Sequence, residues 1–213
     1  MKLVSYPTSP FARKVRIAVF ELGLTDRVEI VDANPLADDG VVARYNPLGK
    51  VPALVLHDRT LVDSPLICAY LDTLHAGPKL HPERDWLPLQ LQALGDGMMD
   101  ATVLRRLETL RPESLRSAYW IARYEAAVQR TLTELATHVN SLPGAVTIGT
   151  ITLGCALGYL DRRYAEMNWR ERAPDLAEWF EVWNARAAAA ATAPPPDHPG
   201  ASETLRRGAE PPH

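Results

Sequence analysis

The chain of 213 residues lacks several features that mark common classes of function. It has only two cysteines, Cys68 and Cys155, and neither lies in a paired spacing of the kind that holds zinc or forms a redox dithiol. It also lacks an excess of positive charge, because 26 acidic residues outnumber 23 Lys and Arg residues. Nucleic acids and anionic membrane surfaces usually require a basic partner. We therefore expect no metal, no nucleic-acid partner and no membrane partner.

Long apolar runs are absent as well. No stretch reaches the length of about 20 apolar residues that crosses a bilayer. The opening MKLVSYPTSPFARK has no uninterrupted apolar core of the kind found in signal peptides. Apolar residues make up 46% of the chain and charged residues 23%, which is typical of globular proteins. The sequence therefore predicts a folded cytoplasmic protein whose two cysteines are buried and reduced.

The first part of the chain alternates between strand and helix patterns. KLVSY is a short strand pattern, and after the turn PTSP the apolar residues of FARKVRIAVFEL recur at helical spacing up to Gly23. RVEIVDA alternates as a second strand, and a short helical piece is expected before NPLGK. PALVLHDRTLVD reads as two strands joined by a turn, and SPLICAYLDTLH as a helix. The predicted order is β-α-β-(α)-β-β-α.

The second part of the chain shows helical patterns only. Four of them follow Trp86, and the last covers DLAEWFEVWNARAAAA as one helix. The final stretch is rich in proline and polar residues without periodicity, which is typical of a mobile tail. We therefore predict an N-terminal domain over residues 1–77, an all-helical domain over 84–193 and a mobile tail over 194–213.

This order of elements resembles a known family. A strand-helix-strand start with an antiparallel hairpin and a covering helix is similar to the thioredoxin-like fold, and a helical bundle follows it here. Together with the motifs TSPFARKVRIAV, NPLGKVPAL, DSPLICAYLD and TLGCALGYLD, this order resembles the cytosolic glutathione transferases. The likeness extends to about residue 196 and is nearest to bacterial serine-type or beta-like members. It implies an α+β thioredoxin-like N-terminal domain followed by an all-α helical-bundle domain.

The resemblance also implies a function. A member of this family uses glutathione as co-substrate, stabilises its thiolate and conjugates it to an electrophilic small molecule in detoxification, commonly as a homodimer. Two other functions stay open from the sequence. One is a glutathione-dependent disulfide reductase or peroxidase, and the other is a non-catalytic binding or regulatory protein with the same fold. The electrophile cannot be read from the sequence, because variable helical and loop residues select it.

Pro52 lies one residue after the valine that should begin a strand. Proline has no backbone N–H, so a trans Pro52 at the start of an edge strand is one interpretation. The resemblance implies instead a cis Val51–Pro52 peptide that turns the backbone polar groups of Val51 outward, where the cysteinyl unit of glutathione pairs with them as an added strand. Lys50 is either a solvated charge or, by resemblance, a contact for the glycyl carboxylate.

Asp63 and Ser64 precede the helix pattern that ends the first domain. Ser64 lies before Pro65 and is a typical N-cap residue. The resemblance implies that Ser64 binds the γ-glutamyl carboxylate of glutathione and that Asp63 faces its ammonium group. Asp96 and Asp100 lie one helical turn apart. They form either a solvated helix face or a further contact to the γ-glutamyl amine.

Ser9 in TSPFAR has two interpretations. On local grounds it is the N-cap of the helix that begins at Pro10. By resemblance, the residue at this turn contacts the glutathione sulfur, and Ser9 is then the catalytic residue. A neutral hydroxyl cannot act as a general base near neutral pH, so it would donate a hydrogen bond to the thiolate, helped by the helix dipole and Arg13. No cysteine occurs between residues 1 and 67, which disfavours covalent redox chemistry at this turn.

Overall fold

The N-terminal part of the chain is built on a four-stranded mixed sheet. The computed structural model describes residues 1–37, 40–142 and 144–196. The strands are β1 Lys2–Ser5, β2 Glu29–Asp32, β3 Ala53–Val55 and β4 Thr60–Leu61. Their order across the sheet is β2-β1-β3-β4, with β1 parallel to β2 and antiparallel to β3, and with β3 antiparallel to β4. This arrangement confirms the predicted α+β thioredoxin-like fold.

Three helices accompany this sheet. They are α1 Pro10–Glu21, α2 Val41–Tyr45 and α3 Ser64–Leu71. Because side chains alternate across a strand, the two faces of the sheet pack into different clusters. Leu3 of β1 faces the main core of the protein, and the next residue, Val4, packs in a smaller cluster with Val42 of α2. Helix α2 therefore packs on the Val4 face of the sheet, and the main core lies on the Leu3 face.

Over its described residues the C-terminal part has helices and no strand, as predicted. Its helices are α4 Leu87–Leu110, α5 Ala118–His138, α6 Ile148–Arg163, α7 Trp169–Arg172, α8 Pro174–Asn184 and α9 Ala187–Ala191. Within the described ranges, no helix is long and apolar enough to span a membrane. The predicted tail lies outside the described residues except for positions 194–196.

The prediction of one helix over the last helical pattern is wrong, because the chain breaks into α8 and α9. Arg186 is extended at the break, with φ −66° and ψ 147°, and its Nε donates to Glu21 Oε1 on α1 at 3.3 Å. The alanines of α9 then pack onto the N-terminal domain, where Ala188 and Ala189 are buried. Alanine favours a helix whether the segment forms one continuous helix or two separate helices. The sequence pattern alone therefore could not show this break.

Helix α6 runs through the centre of the protein, and 12 of its residues are buried. Thr147 and Thr150 form a reciprocal capping box at its start, with each backbone N–H donating to the other hydroxyl. Gly154 of α6 lies against the ring of Trp183, where an added Cβ atom would come within 2.3 Å of ring carbons. A glycine is therefore needed for this close contact between α6 and α8.

The Asp72 side chain holds the segment between α3 and α4 in place through hydrogen bonds. Its carboxylate accepts hydrogen bonds from the backbone N–H groups of Leu80 and His81 and contacts the rings of His75 and His81. Burial alone would raise the pKa of Asp72, but these hydrogen bonds outweigh it and lower the pKa below its usual value.

We expect Asp72→Asn to lower the free energy of unfolding by about 1 kcal/mol at pH 7. A carboxylate whose pKa is lowered by folding stabilises the fold above its unfolded pKa of about 4, and this contribution is lost as the pH falls through the folded value. The difference between wild type and variant should therefore shrink below about pH 4. Urea unfolding between pH 7 and pH 3 measures it, with Glu83→Gln, an exposed carboxylate on the same linker, as control. A pH-independent difference would contradict this role of Asp72.

Candidate functional site

Ser9 lies at the turn between β1 and α1. Its backbone N–H donates to the carbonyl of Tyr6 at 3.0 Å, and its Oγ accepts from the N–H of Ala12 at 3.2 Å. The predicted cap is therefore confirmed. As a cap, the Ser9 hydroxyl accepts a hydrogen bond. The same hydroxyl still has one proton that it can donate to another group. The cap and a hydrogen bond to a thiolate are thus compatible, although the sequence presented them as alternatives.

The Val51–Pro52 peptide bond is cis in the structure. The pairing of β3 with β1 begins at Ala53, opposite Val4, so Val51 lies just before the paired part of the strand. The side chain of Val51 is buried, and Lys50 beside it is exposed. The Lys50 carbonyl accepts a hydrogen bond from Asn46 Nδ2 at 2.7 Å, which holds the loop before the strand.

The prediction that Ser64 caps α3 is wrong. The cap is Asp63, which follows a cis Val62–Asp63 peptide bond and whose carboxylate accepts from the Ser64 N–H. The backbone of Asp63 is extended, with φ −100° and ψ −178°, as an N-cap requires, and Ser64 is the first helical residue. Both residue types are good caps, so the sequence could not distinguish them.

The hydroxyl of Ser64 has a different environment from a cap. Ser64 is completely buried, and its Oγ has no hydrogen-bond partner among the described residues. A buried polar group without a partner costs about 1–3 kcal/mol. It lies in the first turn of α3, where the positive end of the helix dipole favours an anion. The Ser64 hydroxyl and the dipole of α3 therefore both favour an anionic hydrogen-bond acceptor at this helix end.

Charged side chains from both domains meet near Ser64. Lys14 of α1 is fully buried, and its Nζ contacts the two carboxylate oxygens of Asp96 on α4 at 2.6 and 2.9 Å. Burial raises the pKa of Asp96, Lys14 opposes this, and the nearby charges of Asp63 and Asp100 raise it further. Asp96 is therefore not part of a solvated helix face, because it forms a largely buried ion pair.

Asp100 is exposed, one turn further along α4. Partial desolvation of its carboxyl group by neighbouring atoms raises its pKa, the charge of Lys50 lowers it and the charge of Asp63 raises it again. The structure thus brings Lys50, Asp63, Ser64, Asp96 and Asp100 to one region between the domains. Sequence analysis missed Lys14, because nothing near it in the chain shows that its partner lies 82 residues away.

Neither cysteine of the chain is a reactive thiol. Cys68 and Cys155 are both buried, and burial raises the pKa of Cys68 to about 12 and that of Cys155 to about 11. A thiol must ionise to act as a nucleophile, so neither side chain supplies one near neutral pH. Among the described residues, no three His, Cys, Asp or Glu side chains form a group that could hold a metal ion.

Comparison with known proteins gives two family matches. Residues 8–74 match the family model "Glutathione S-transferase, N-terminal domain", and residues 118–181 match "Glutathione S-transferase, C-terminal domain". The chain is similar to an uncharacterized GST-like protein, YibF, of Escherichia coli K12. The two are 34% identical over 202 residues, which are 92% of this chain and 99% of the relative.

Two further proteins bear on function. A crystal structure of a glutathione transferase family member from Pseudomonas fluorescens Pf-5, with bound glutathione, has a TM-score of 0.87 and 38% identity to this chain. The match covers 91% of this chain and 98% of that protein. A stringent starvation protein A homolog of Pasteurella multocida is 31% identical over 134 residues, which are 55% of this chain and 61% of the relative.

Proposed function

The chain belongs to the glutathione S-transferase family, and from this premise we propose that it binds glutathione in its N-terminal domain, residues 1–77, and transfers the thiolate to an electrophilic small molecule. The helical domain, residues 84–193, supplies the other wall of the site. The similar protein from Pseudomonas fluorescens Pf-5 was solved with bound glutathione, which supports the first half of this proposal.

The observation that carries the proposal is the buried Ser64 hydroxyl, which has no hydrogen-bond partner in the described part of the chain. The γ-glutamyl carboxylate of glutathione would accept a hydrogen bond from this hydroxyl at the positive end of α3. The neighbouring ammonium group would face the carboxylates of Asp63 and Asp100. The γ-glutamyl end of glutathione carries its carboxylate and its ammonium group on the same carbon. This pair of opposite charges matches an anion site that is bordered by acidic side chains.

The rest of glutathione would extend along the edge at Val51. An extended peptide pairs with such an edge through main-chain hydrogen bonds. The exposed ammonium of Lys50 would face the glycyl carboxylate. This places the glutathione sulfur at the turn before α1, where the Ser9 hydroxyl would donate to the thiolate. The dipole of α1 and the charge of Arg13 would add positive potential and lower the thiol pKa.

We further propose a homodimer that works in the cytoplasm, where Cys68 and Cys155 stay reduced. Exposed apolar side chains on both domains support self-association, among them Leu66 of α3 and Leu89 of α4. Detoxification of electrophiles is the physiological role that such a transferase would serve.

A second candidate function is a non-catalytic regulatory protein, favoured by the partial similarity to a stringent starvation protein A homolog. Disulfide reduction is a third, and it would need two glutathione molecules because the chain has no cysteine at the turn. Turnover assays with an aryl halide, a peroxide and hydroxyethyl disulfide distinguish these functions. Glutathione binding without turnover of any of the three would favour the regulatory protein.

We expect Ser64→Ala to weaken glutathione binding by about 1–2 kcal/mol, the contribution of a hydrogen bond to a charged group. Stability should not fall, because the hydroxyl makes no hydrogen bond to any residue that the structure describes. Calorimetry measures the affinity, and urea unfolding measures the stability.

Ser117→Ala is the matched control. Ser117 caps α5 by accepting from the Trp120 N–H at 3.4 Å, away from the proposed site. We expect this variant to lose about 0.5–1 kcal/mol of stability and no glutathione affinity. An unchanged affinity in Ser64→Ala would remove Ser64 from the proposed site.

A further inference from the structure

The tripeptide Asn-Pro-Leu occurs twice in the chain, at residues 34–36 and 46–48. In both copies the side-chain oxygen of the asparagine accepts a hydrogen bond at 3.0 Å from the leucine N–H two residues later. This contact is an Asx turn, which asparagine favours in loops. The first copy follows β2, and the second lies between α2 and β3. The same tripeptide therefore forms the same local turn in two places.

Asn46, in the second copy, makes a further contact through its amide nitrogen. Its Nδ2 donates to the Lys50 carbonyl at 2.7 Å, while its Oδ1 accepts from Leu48. These two contacts fix the orientation of the amide, because only its nitrogen can donate and only its oxygen can accept.

The backbone of Asn46 is bonded as well. Its N–H donates to the carbonyl of Val42 at 2.9 Å, and its carbonyl accepts from the N–H of Gly49 at 2.8 Å. Asn46 is only 2% exposed. All four of its polar groups are thus engaged within α2 and the following loop, which holds the amide in one position.

The bond to Lys50 determines the direction of the next N–H group. The Lys50–Val51 peptide bond is trans, so its C=O and N–H point in opposite directions within one plane. Because the Lys50 carbonyl points back to Asn46, the Val51 N–H points away from the loop. This N–H donates to no residue that the structure describes. Asn46 therefore sets the direction of a free donor just before β3.

We propose that Asn46 is a positioning residue for glutathione, which aims the Val51 N–H at the carbonyl of the cysteinyl unit. The inference rests on the proposed function, because glutathione is the ligand that would pair with Val51. Asn46 itself would not touch glutathione and would act through the Lys50–Val51 peptide. A donor that already points to its acceptor requires no ordering when the ligand binds, which favours binding.

The alternative role of Asn46 is to stabilise the turn after α2 and nothing more. Asn34 forms the same Asx turn on another loop, so it isolates the contribution of the turn alone. The two roles differ in one measurable property, because only the positioning role changes how the Val51 N–H meets a ligand.

Two substitutions of Asn46 separate these roles. Asn46→Asp keeps an oxygen that can accept from the Leu48 N–H, but it has no N–H to donate to the Lys50 carbonyl. Asn46→Ser also keeps an acceptor for a turn, without added charge, and its side chain is one bond shorter than that of asparagine. Asn34→Asp is the matched control, because it makes the same change of charge in the other Asn-Pro-Leu copy.

The direction of the Val51 N–H can be followed by NMR. A lysine precedes a valine only at Lys14–Val15 and Lys50–Val51. Protein labelled with ¹³C at the lysine carbonyl and with ¹⁵N in valine therefore gives two amide signals in an HNCO spectrum. The signal of Val51 is the one that disappears in Lys50→Arg. S-methylglutathione is the probe, because it has no thiol that can ionise or react.

In the wild type we expect saturating S-methylglutathione to move the Val51 amide proton downfield, as a new hydrogen bond does. Asn46→Asp and Asn46→Ser should reduce this shift and weaken binding about five- to ten-fold in calorimetry, the effect of losing one well-directed hydrogen bond. Asn34→Asp should change neither quantity. Urea unfolding checks that each variant is folded, and either Asn46 variant alone is sufficient for the test.

Failure of this inference and failure of the proposed function give different results. An unchanged Val51 shift and an unchanged affinity in the Asn46 variants would overturn the positioning role and leave Asn46 as a turn residue. Binding of S-methylglutathione to the wild type without movement of the Val51 signal would overturn this inference and leave glutathione binding intact. Absence of binding to the wild type would overturn the proposed function and this inference with it.

Discussion

Asp96→Ala is expected to lower the free energy of unfolding by about 3–5 kcal/mol, because it leaves the fully buried Lys14 without its counter-charge. The ion pair connects α1 of the N-terminal domain to α4 of the helical domain, and both helices border the proposed site. The loss should therefore appear as lower stability of the whole fold in urea unfolding. It should also weaken glutathione binding, since it changes the charges around Asp63 and Asp100.

Two further variants isolate the cause of this loss. Lys14→Met should cost less than Asp96→Ala, because the carboxyl group of Asp96 has a raised pKa and can take up a proton. Lys2→Met removes one partner of an exposed ion pair with Glu29, and we expect a change of at most about 1 kcal/mol. A loss in Asp96→Ala as small as that in Lys2→Met would show that the buried pair does not hold the domains together.

Ser9→Ala is expected to raise the pKa of the bound glutathione thiol by about one unit, which corresponds to about 1.4 kcal/mol. At pH values below the thiol pKa of the wild-type complex, kcat of the variant should be about ten-fold lower than kcat of the wild type. KM should change less, because Val51 and Ser64 still bind the peptide. The loss of the cap should also lower stability by about 1 kcal/mol. Ultraviolet titration of the bound thiol and turnover with an aryl halide measure the first two effects.

Ser9→Asp and Ser9→Thr separate the two roles of the hydroxyl. An ionised aspartate can accept the Ala12 N–H and cap α1, but it has no proton to donate. We expect Ser9→Asp to keep the stability and to lose the low thiol pKa, whereas Ser9→Thr keeps both. Identical titration curves for the wild type and Ser9→Ala would transfer the role of thiolate stabiliser to Thr8, Arg13 or the backbone amides of the turn.

The parts of the structure that depend on local pattern could be predicted from the sequence. Ser9 precedes a proline and a helical stripe, so its capping role follows from neighbouring residues. Gly23 has φ +65° just after α1 ends, as expected for a glycine at a helix terminus. At Asp63–Ser64, two adjacent residues can each cap, and the choice depends on which backbone is extended. Local pattern does not fix that choice.

Features formed by distant residues could not be predicted. From the sequence, Lys14 cannot be distinguished from a solvated charge on α1, because its partner Asp96 lies on the distant helix α4. The burial of the Ser64 hydroxyl, without a hydrogen-bond partner among the residues described, is likewise a consequence of tertiary packing. The chemistry of the proposed site can therefore be inferred only from the tertiary structure that brings both domains together.

The central claim is that this chain binds glutathione and lowers the pKa of its thiol at the start of α1. Ultraviolet titration of the wild-type complex measures this pKa through the absorbance of the thiolate. We expect a value at least about one unit below the ordinary thiol value of about 8.5, since a helix N-terminus and nearby positive charge lower thiol pKa values. A bound thiol that titrates at the value of free glutathione would contradict the account.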